Sequence, residues 1–89
     1  MKKIEIYTKN WCPFCAMAKS LLKSEYLDFD EIDVTSNPGL EQEMNQRSGQ
    51  FTVPQIFIDN QSVGGFDDLS RLKSSGDLAR MTQSLEIET

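Results

Sequence analysis

The chain opens with an alternation of apolar and polar residues that predicts a half-buried β-strand. Ile4 and Ile6 lie on one face, Glu5 and Tyr7 lie on the other, and the strand ends at Thr8. Three further short stretches of apolar, β-branched and aromatic residues predict strands at 29–34, 53–58 and 62–63. A turn at 59–61 joins the last two strands into a hairpin.

Apolar residues at helical spacing predict four helices between and after these strands. Pro13 suits the first position of a helix, so Cys12 is the predicted N-cap of the first one. The Asn37-Pro38 pair marks the start of the second helix, and Gly49 marks its end. The third and fourth helices are predicted to begin at 67–68 and 76–77, and the fourth runs to Leu85. The methionines expected to fill the core are Met17, Met44 and Met81.

The order of these elements, β-α-β-α-β-β-α-α, predicts an α/β fold with a mixed four-stranded sheet. A strand, a helix and a second strand at the start imply a parallel pair with a right-handed crossover. The later hairpin adds antiparallel pairing. A length of 89 residues predicts a single domain over 1–89.

Charge and composition narrow the range of functions. The net charge is −5 and the nine basic residues are scattered, so binding to a nucleic-acid backbone is not expected. The chain has no His, which removes imidazole bases and Cys₂His₂ zinc sites. No apolar stretch approaches the roughly 20 residues that span a bilayer, and no signal-peptide core follows the N-terminus. We therefore expect a cytoplasmic protein without a membrane partner.

The two cysteines, Cys12 and Cys15, are the residues to which chemistry is assigned. At this spacing on a helix they lie one turn apart on one face, which suits the roughly 5.5–6 Å Cα separation of a disulfide. As N-cap, Cys12 can accept hydrogen bonds from the free N–H groups of Phe14 or Cys15, and it lies at the positive end of the helix. Both effects favour the thiolate of Cys12. Cys15 faces the apolar side, where desolvation opposes ionisation. Cys12 is therefore expected to attack and Cys15 to resolve.

Two other uses of the cysteine pair stay open at this point. A structural disulfide is unusual in a reducing compartment. Zinc requires four ligands, so two cysteines without His supply only half of an intermolecular site, and no metal site is predicted within the chain. A Cys-X-X-Cys pair at the strand-to-helix junction of a leading βαβ unit favours a thioredoxin-like redox site.

Three segments, 7–15, 52–58 and 64–69, resemble the glutaredoxin family in its bacterial dithiol branch. The resemblance covers essentially the whole chain and implies a thioredoxin-like fold. It implies a glutathione-dependent oxidoreductase that reduces protein–glutathione mixed disulfides and protein disulfides. No tightly bound cofactor is implied, because glutathione is the co-substrate and is regenerated by NADPH through glutathione reductase. The implied partners are glutathionylated or disulfide-containing proteins, with ribonucleotide reductase as one candidate, and a monomer is expected.

The resemblance also implies which residues bind glutathione. They are Lys9, Phe14, Thr52, Val53, Pro54, Gly65, Phe66 and Asp67. By the same resemblance the Val53–Pro54 bond is cis, and the Val53 backbone pairs with the cysteinyl part of glutathione. The N–H groups of Phe66 and Asp67 suit the γ-glutamyl carboxylate. The Asp67 carboxylate suits the ammonium and is also predicted to cap the third helix, while Lys9 suits the glycyl carboxylate.

Two positions depart from the family pattern. Phe14 stands where Tyr is commoner, so a phenol hydroxyl is missing near the site. The segment 49–52 lacks the basic residue that often precedes the Thr-Val-Pro motif. Arg47 and Gln50 are weaker candidates for glutathione, because an Arg at a helix end often serves the helix dipole. Trp11 is expected to flank the thiol and to be partly exposed.

Two rival functions belong to other classes. Some relatives hold an iron–sulfur cluster between two subunits, but by resemblance the ring of Pro13 disfavours a cluster. A thioredoxin-type reductant fed by a flavoprotein reductase is the other rival. The Gly64–Asp67 segment, which suits glutathione, argues against it.

Overall fold

The structure is a computed structural model, and it describes residues 3–82. The elements are β1 Ile4–Thr8, α1 Pro13–Ser24, β2 Asp30–Asp33, α2 Pro38–Ser48, β3 Gln55–Ile58, β4 Gln61–Gly64, α3 Phe66–Ser75 and α4 Asp77–Thr82. The predicted order is therefore confirmed, although β3 begins after Pro54. The predicted extension of α4 to Leu85 lies outside the described residues, and the single domain over 1–89 stays a prediction.

The four strands form one mixed sheet in the order β2-β1-β3-β4. β1 and β2 run parallel, as predicted, while β1 and β3 are antiparallel, with Tyr7 opposite Gln55. β3 and β4 form the predicted hairpin, with an irregularity between Ile56 and Phe57. Because β1 and β3 are antiparallel, the end of β1 that leads into the cysteine loop lies beside the start of β3. The topology thus brings the Val53–Pro54 segment next to the cysteines.

Apolar clusters cover both faces of the sheet. The first consists of Ile4, Ile6, Ala18, Leu22, Ile56, Ile58, Leu69 and Leu78. The second consists of Tyr7, Val34, Met44 and Phe57. The prediction that β1 is half-buried is wrong, since all five of its residues are buried. α2 supplies Met44 to the second cluster and so covers the face that carries Tyr7.

A charged network accompanies this burial of β1. The Arg47 guanidinium donates to Glu5 Oε1 at 3.0 Å and to the Tyr7 hydroxyl at 2.7 Å. The Tyr7 hydroxyl in turn donates to Glu43 Oε2 at 2.5 Å. The guanidinium carbon also lies 4.1 Å from the centre of the Phe57 ring. Arg47 thus joins α2 to the sheet, and its guanidinium is engaged within the fold.

One narrow face of α1 packs into the core. Its buried residues are Cys15, Ala18 and Leu22. This spacing of three and four residues matches one face of a helix. Phe14 is 55% exposed and Met17 is 45% exposed, so the prediction that Met17 fills the core is wrong. Met44 is buried as predicted, and Met81 packs against the first cluster.

Candidate active site

Cys12 occupies the N-cap of α1, as predicted. Its Sγ accepts a hydrogen bond from the Cys15 N–H at 3.1 Å. Such a bond, together with the positive end of the helix, favours negative charge on the sulfur. The same Sγ lies 4.0 Å from the Val53 carbonyl oxygen. Cys12 is half-buried, so a disulfide in solution can reach it.

Cys15 has the opposite surroundings. It is a free thiol with 2% of its surface exposed. Burial raises the pKa of the Cys15 thiol to about 12, and the hydrogen bond and charge of Cys12 act in the same direction. A hydrogen bond from the Lys9 backbone and the charge of Lys19 lower the pKa, but they do not offset the burial. The two cysteines therefore differ in access and in their hydrogen-bonding surroundings, as the N-cap position predicts.

A groove of about 180 Å³, which we call the Pro54 groove, lies beside Cys12. Its lining residues are Phe14, Thr52, Val53, Pro54, Gly65, Phe66 and Asp67. These are seven of the eight residues that the resemblance implies for glutathione. The Val53–Pro54 peptide bond is cis, as predicted. The groove thus unites three segments that are far apart in the sequence.

Two aromatic rings line one part of the Pro54 groove. The ring centres of Phe14 and Phe66 are 6.1 Å apart, and the planes are tilted by 37°. Phe66 also packs against the first apolar cluster, which anchors this wall to the core. Phe14 is more exposed and lies between the two cysteines in the first turn of α1. The two rings therefore form an apolar part of the groove lining.

The start of α3 forms another part of the groove. Gly64 has a φ of 113°, and a Cβ there would overlap the Asp68 carboxylate, so the position suits glycine alone. The Gly65 N–H donates to Asp68 Oδ2 at 3.1 Å. The prediction that Asp67 caps α3 is therefore wrong, because the helix begins one residue earlier and Asp68 holds the third position. No hydrogen bond or ion pair to the Asp67 side chain occurs among residues 3–82.

Lys9, the eighth predicted residue, lies outside the Pro54 groove. It lines a second groove of about 470 Å³, the Lys9 groove, together with Cys12, Cys15, Lys19 and Glu31. Its ammonium is 2.7 Å from Glu41 Oε2. This ion pair holds the Lys9 ammonium against Glu41 in the first turns of α2. A carboxylate ligand would have to compete with Glu41 for it.

The sequence reasoning missed a polar cluster in the lining of the Lys9 groove, formed by Thr8, Lys19 and Glu31. Lys19 Nζ is 2.9 Å from Glu31 Oε2, and the Thr8 hydroxyl donates to the same oxygen at 2.8 Å. A usable signal was the position of Lys19, four residues after Cys15 on one helix. Trp11, which also lines this groove, is 98% exposed with a φ of 59°, so it flanks the thiol more openly than predicted.

The remainder of the described chain has no comparable arrangement. Another groove, of about 690 Å³, lies between β4, α3 and α4, and none of the predicted site residues lines it. Within residues 3–82, no three His, Cys, Asp or Glu side chains are grouped to hold a metal ion. No helix in the same range is both long and apolar enough to cross a membrane.

Known proteins share this arrangement of sequence and fold. The family model for glutaredoxin matches residues 4–63 of the chain. The chain belongs to the glutaredoxin family. Glutaredoxin 3 from Escherichia coli strain K12 is 50% identical over 78 residues, which cover 88% of this chain and 94% of that protein. As a glutaredoxin, the chain is a thiol–disulfide oxidoreductase.

Solved glutaredoxin structures confirm the thioredoxin-like fold. The solution structure of glutaredoxin from Brucella melitensis is 47% identical, with a TM-score of 0.79 over 89% of this chain and 86% of that one. The crystal structure of a buckwheat glutaredoxin–glutathione complex has a TM-score of 0.83 at 24% identity, over 90% of this chain and 76% of that one. The latter shares the fold.

Proposed function

We propose that this glutaredoxin reduces protein–glutathione mixed disulfides and protein disulfides, with glutathione as the reductant. Cys12 is the nucleophile and Cys15 is the resolving thiol. The observation that carries the proposal is the position of Cys12 Sγ, which accepts a helix N–H and lies 4.0 Å from Val53 in the wall of the Pro54 groove. An attacking sulfur next to a groove for a short peptide is what transfer of glutathione requires.

The Pro54 groove, together with Lys9 outside it, offers a partner for each polar part of glutathione. The Val53 backbone can pair with the cysteinyl unit as an added strand would. The free N–H groups of Phe66 and Asp67 at the start of α3 suit the γ-glutamyl carboxylate. The Asp67 carboxylate suits the ammonium, and Lys9 would release Glu41 to meet the glycyl carboxylate. Thr52 lines the groove beside Val53.

The one-cysteine route transfers glutathione between sulfurs. The Cys12 thiolate attacks the glutathionyl sulfur of the mixed disulfide, and the substrate leaves as a thiolate that takes up a proton from water. A second glutathione thiolate attacks the glutathionyl sulfur on Cys12 and releases glutathione disulfide. Each step exchanges one S–S bond for another, so the rate depends on the fraction of attacking thiol that is ionised. NADPH regenerates glutathione through glutathione reductase.

The two-cysteine route serves protein disulfides. Cys12 attacks first and forms a mixed disulfide with the substrate protein. Cys15 then attacks Cys12 Sγ and displaces the second substrate thiol, which leaves a Cys12–Cys15 disulfide for glutathione to reduce. We propose disulfide-containing proteins as partners, with ribonucleotide reductase as one candidate, and a monomer that works in the cytoplasm.

The test is glutathione-dependent reduction of a glutathionylated peptide, coupled to glutathione reductase and NADPH. We expect wild type and Cys15→Ser to turn over and Cys12→Ser to be inactive. Wild type without glutathione, but with thioredoxin reductase, is the control for the thioredoxin-type rival. Absence of glutathione-dependent turnover in wild type would overturn the proposal. Visible absorbance after anaerobic purification would then point to the cluster-binding rival.

A further inference from the structure

The Lys19–Glu31 ion pair lines the same groove as Cys15, the thiol that attacks second in the two-cysteine route. We propose that Lys19 is a positioning residue for the resolving step, because its ammonium favours the thiolate of Cys15, while Glu31 limits that effect. The inference rests on the proposed role of Cys15. It goes further because it assigns control of the rate of attack by Cys15 to the Lys19–Glu31 ion pair, which lies outside the Pro54 groove.

The geometry of α1 and β2 brings these groups together. Lys19 follows Cys15 by one helical turn, so the two side chains share a face of α1. Both residues and Glu31 line the same groove. Glu31 Oε2 is held at 2.9 Å by the Lys19 ammonium and at 2.8 Å by the Thr8 hydroxyl. The ion pair therefore lies in the groove that Cys15 also lines, and the Glu31 charge partly neutralises that of Lys19.

Partial burial makes this charge effective. The side chains of Lys19 and Glu31 are 31% and 38% exposed, so water screens the pair less than a fully exposed one. Cys15 itself is almost fully buried and has little water to stabilise its thiolate. In such a site a neighbouring ammonium is a larger influence on the thiol than it would be in solution.

The charges around Cys15 change when the first step is complete. Besides burial, Cys12 raises the pKa of Cys15, whereas the Lys9 backbone and Lys19 lower it. Once Cys12 is in a mixed disulfide it carries no charge, and Lys19 is the charged side chain that still favours ionisation. The Lys9 ammonium is paired with Glu41, and the negative charge of Glu31 partly cancels the effect of the Lys19 ammonium on Cys15.

The proton of Cys15 leaves through water in the groove. Lys19 holds the pKa of Glu31 below its usual range, with a further contribution from Thr8, although burial of Glu31 acts against them. Glu31 therefore stays ionised at neutral pH and does not keep the proton. The Cys15 thiolate forms a bond to Cys12 Sγ, the bond from Cys12 to the substrate sulfur breaks, and the substrate leaves as a thiolate. The chain is oxidised to a disulfide and the substrate disulfide is reduced to two thiols.

A chromogenic aromatic disulfide tests this by stopped flow, because each step releases one coloured thiolate. The first phase reports attack by Cys12 and the second reports attack by Cys15. For Lys19→Gln we expect a second phase slower by roughly two- to fourfold at neutral pH, with its pH midpoint moved upward, because the loss of ionised Cys15 is partly offset by the greater nucleophilicity of a more basic thiolate. For Glu31→Gln we expect a faster second phase and a midpoint moved downward.

The controls separate charge from folding. Lys23→Gln, on the same helix, is expected to leave both phases unchanged, and Lys19→Arg is expected to restore the second phase. If Lys19→Gln keeps the wild-type second phase and pH profile, or slows both phases equally, the inference is wrong. If instead Cys15→Ser still shows a second phase, the resolving role itself fails, which is a failure of the proposed function.

Discussion

Two thiols one helical turn apart differ because one caps the helix and the other faces the core. Cys12 is half-buried and its Sγ accepts a hydrogen bond from the Cys15 N–H, whereas the Cys15 side chain is buried with 2% of its surface exposed. This difference is predictable from the sequence because Pro13 marks the first turn of α1. A proline at that position leaves the preceding residue as N-cap.

The raised pKa of Cys15 predicts the pH dependence of its alkylation. Because burial, and after it the contact with Cys12, hold the pKa of the Cys15 thiol at about 12, Cys15 stays protonated at neutral pH and iodoacetamide should modify only the more exposed Cys12. Alkylation at Cys15 should rise only as the pH approaches that value. Mass spectrometry of peptides modified at a series of pH values measures both sites. In Cys12→Ser the midpoint for Cys15 should fall, and an unchanged midpoint would contradict the assigned cause.

We predict that Asp67 contributes to the binding of glutathione but not to the chemical steps. Asp67→Asn removes the charge proposed to meet the ammonium, so KM for glutathione should rise roughly fivefold, equivalent to about 1 kcal/mol for an exposed pair, with kcat little changed. Steady-state kinetics at several glutathione concentrations measures this. Asp28→Asn, in an exposed loop, is the matched control. Equal KM values for the two variants would remove Asp67 from the proposed site.

Some residue-level features could not be predicted. Lys9 pairs with Glu41, which is 32 positions away in the chain. Met17 is exposed although it stands in a run of apolar residues. Both outcomes depend on how α2 and α1 pack on the sheet, and neither packing angle is encoded in local spacing.

At the scale of elements, the junction between β4 and α3 shapes one wall of the Pro54 groove. Asp67 and Asp68 predict the start of α3 in the sequence, but the capping role was predicted for Asp67, which does not have it. Gly65 is the N-cap, so the carboxylate that reaches back to its N–H comes from Asp68. The one-residue difference follows from Gly64, whose φ of 113° lets the chain turn earlier.

Stability should therefore distinguish the two neighbouring acids. Asp68→Ala removes the capping hydrogen bond and should lower the free energy of unfolding by about 1 kcal/mol. Asp67→Ala should change it by less than about 0.5 kcal/mol, as a surface substitution does. Urea unfolding followed by circular dichroism measures both. The reverse order of the two values would show that Asp67 is the cap.

At the scale of the whole molecule, helices cover both faces of the sheet, and the sequence of β1 does not reveal this. Glu5 and Tyr7 suggest a solvent-facing side, yet both are buried because Arg47 from α2 satisfies them. The partner is 40 or more positions away, so strand periodicity alone cannot detect it. Element order and sheet type, by contrast, were predictable, because helix starts and turns are local signals.

Removing Arg47 should destabilise the whole molecule. The Glu5 side chain is 12% exposed, and Arg47→Ala would leave its charge with only the more distant and exposed Lys3 ammonium, 4.0 Å from Glu5 Oε2. We expect the free energy of unfolding to fall by about 3 kcal/mol. Arg80→Ala, which breaks an exposed pair with Asp77, should cost less than about 1 kcal/mol. Urea unfolding of both variants checks this, and equal losses would mean that the buried network contributes no more than a surface pair.

The central claim is that Cys12 accepts the glutathione moiety of a mixed disulfide. The most direct measurement is mass spectrometry of Cys15→Ser after reaction with a glutathionylated peptide. The account predicts one glutathione on Cys12, with the peptide released as free thiol and the adduct removed by added glutathione. An adduct on Cys12 that carries the peptide instead, or no adduct at all, would contradict it.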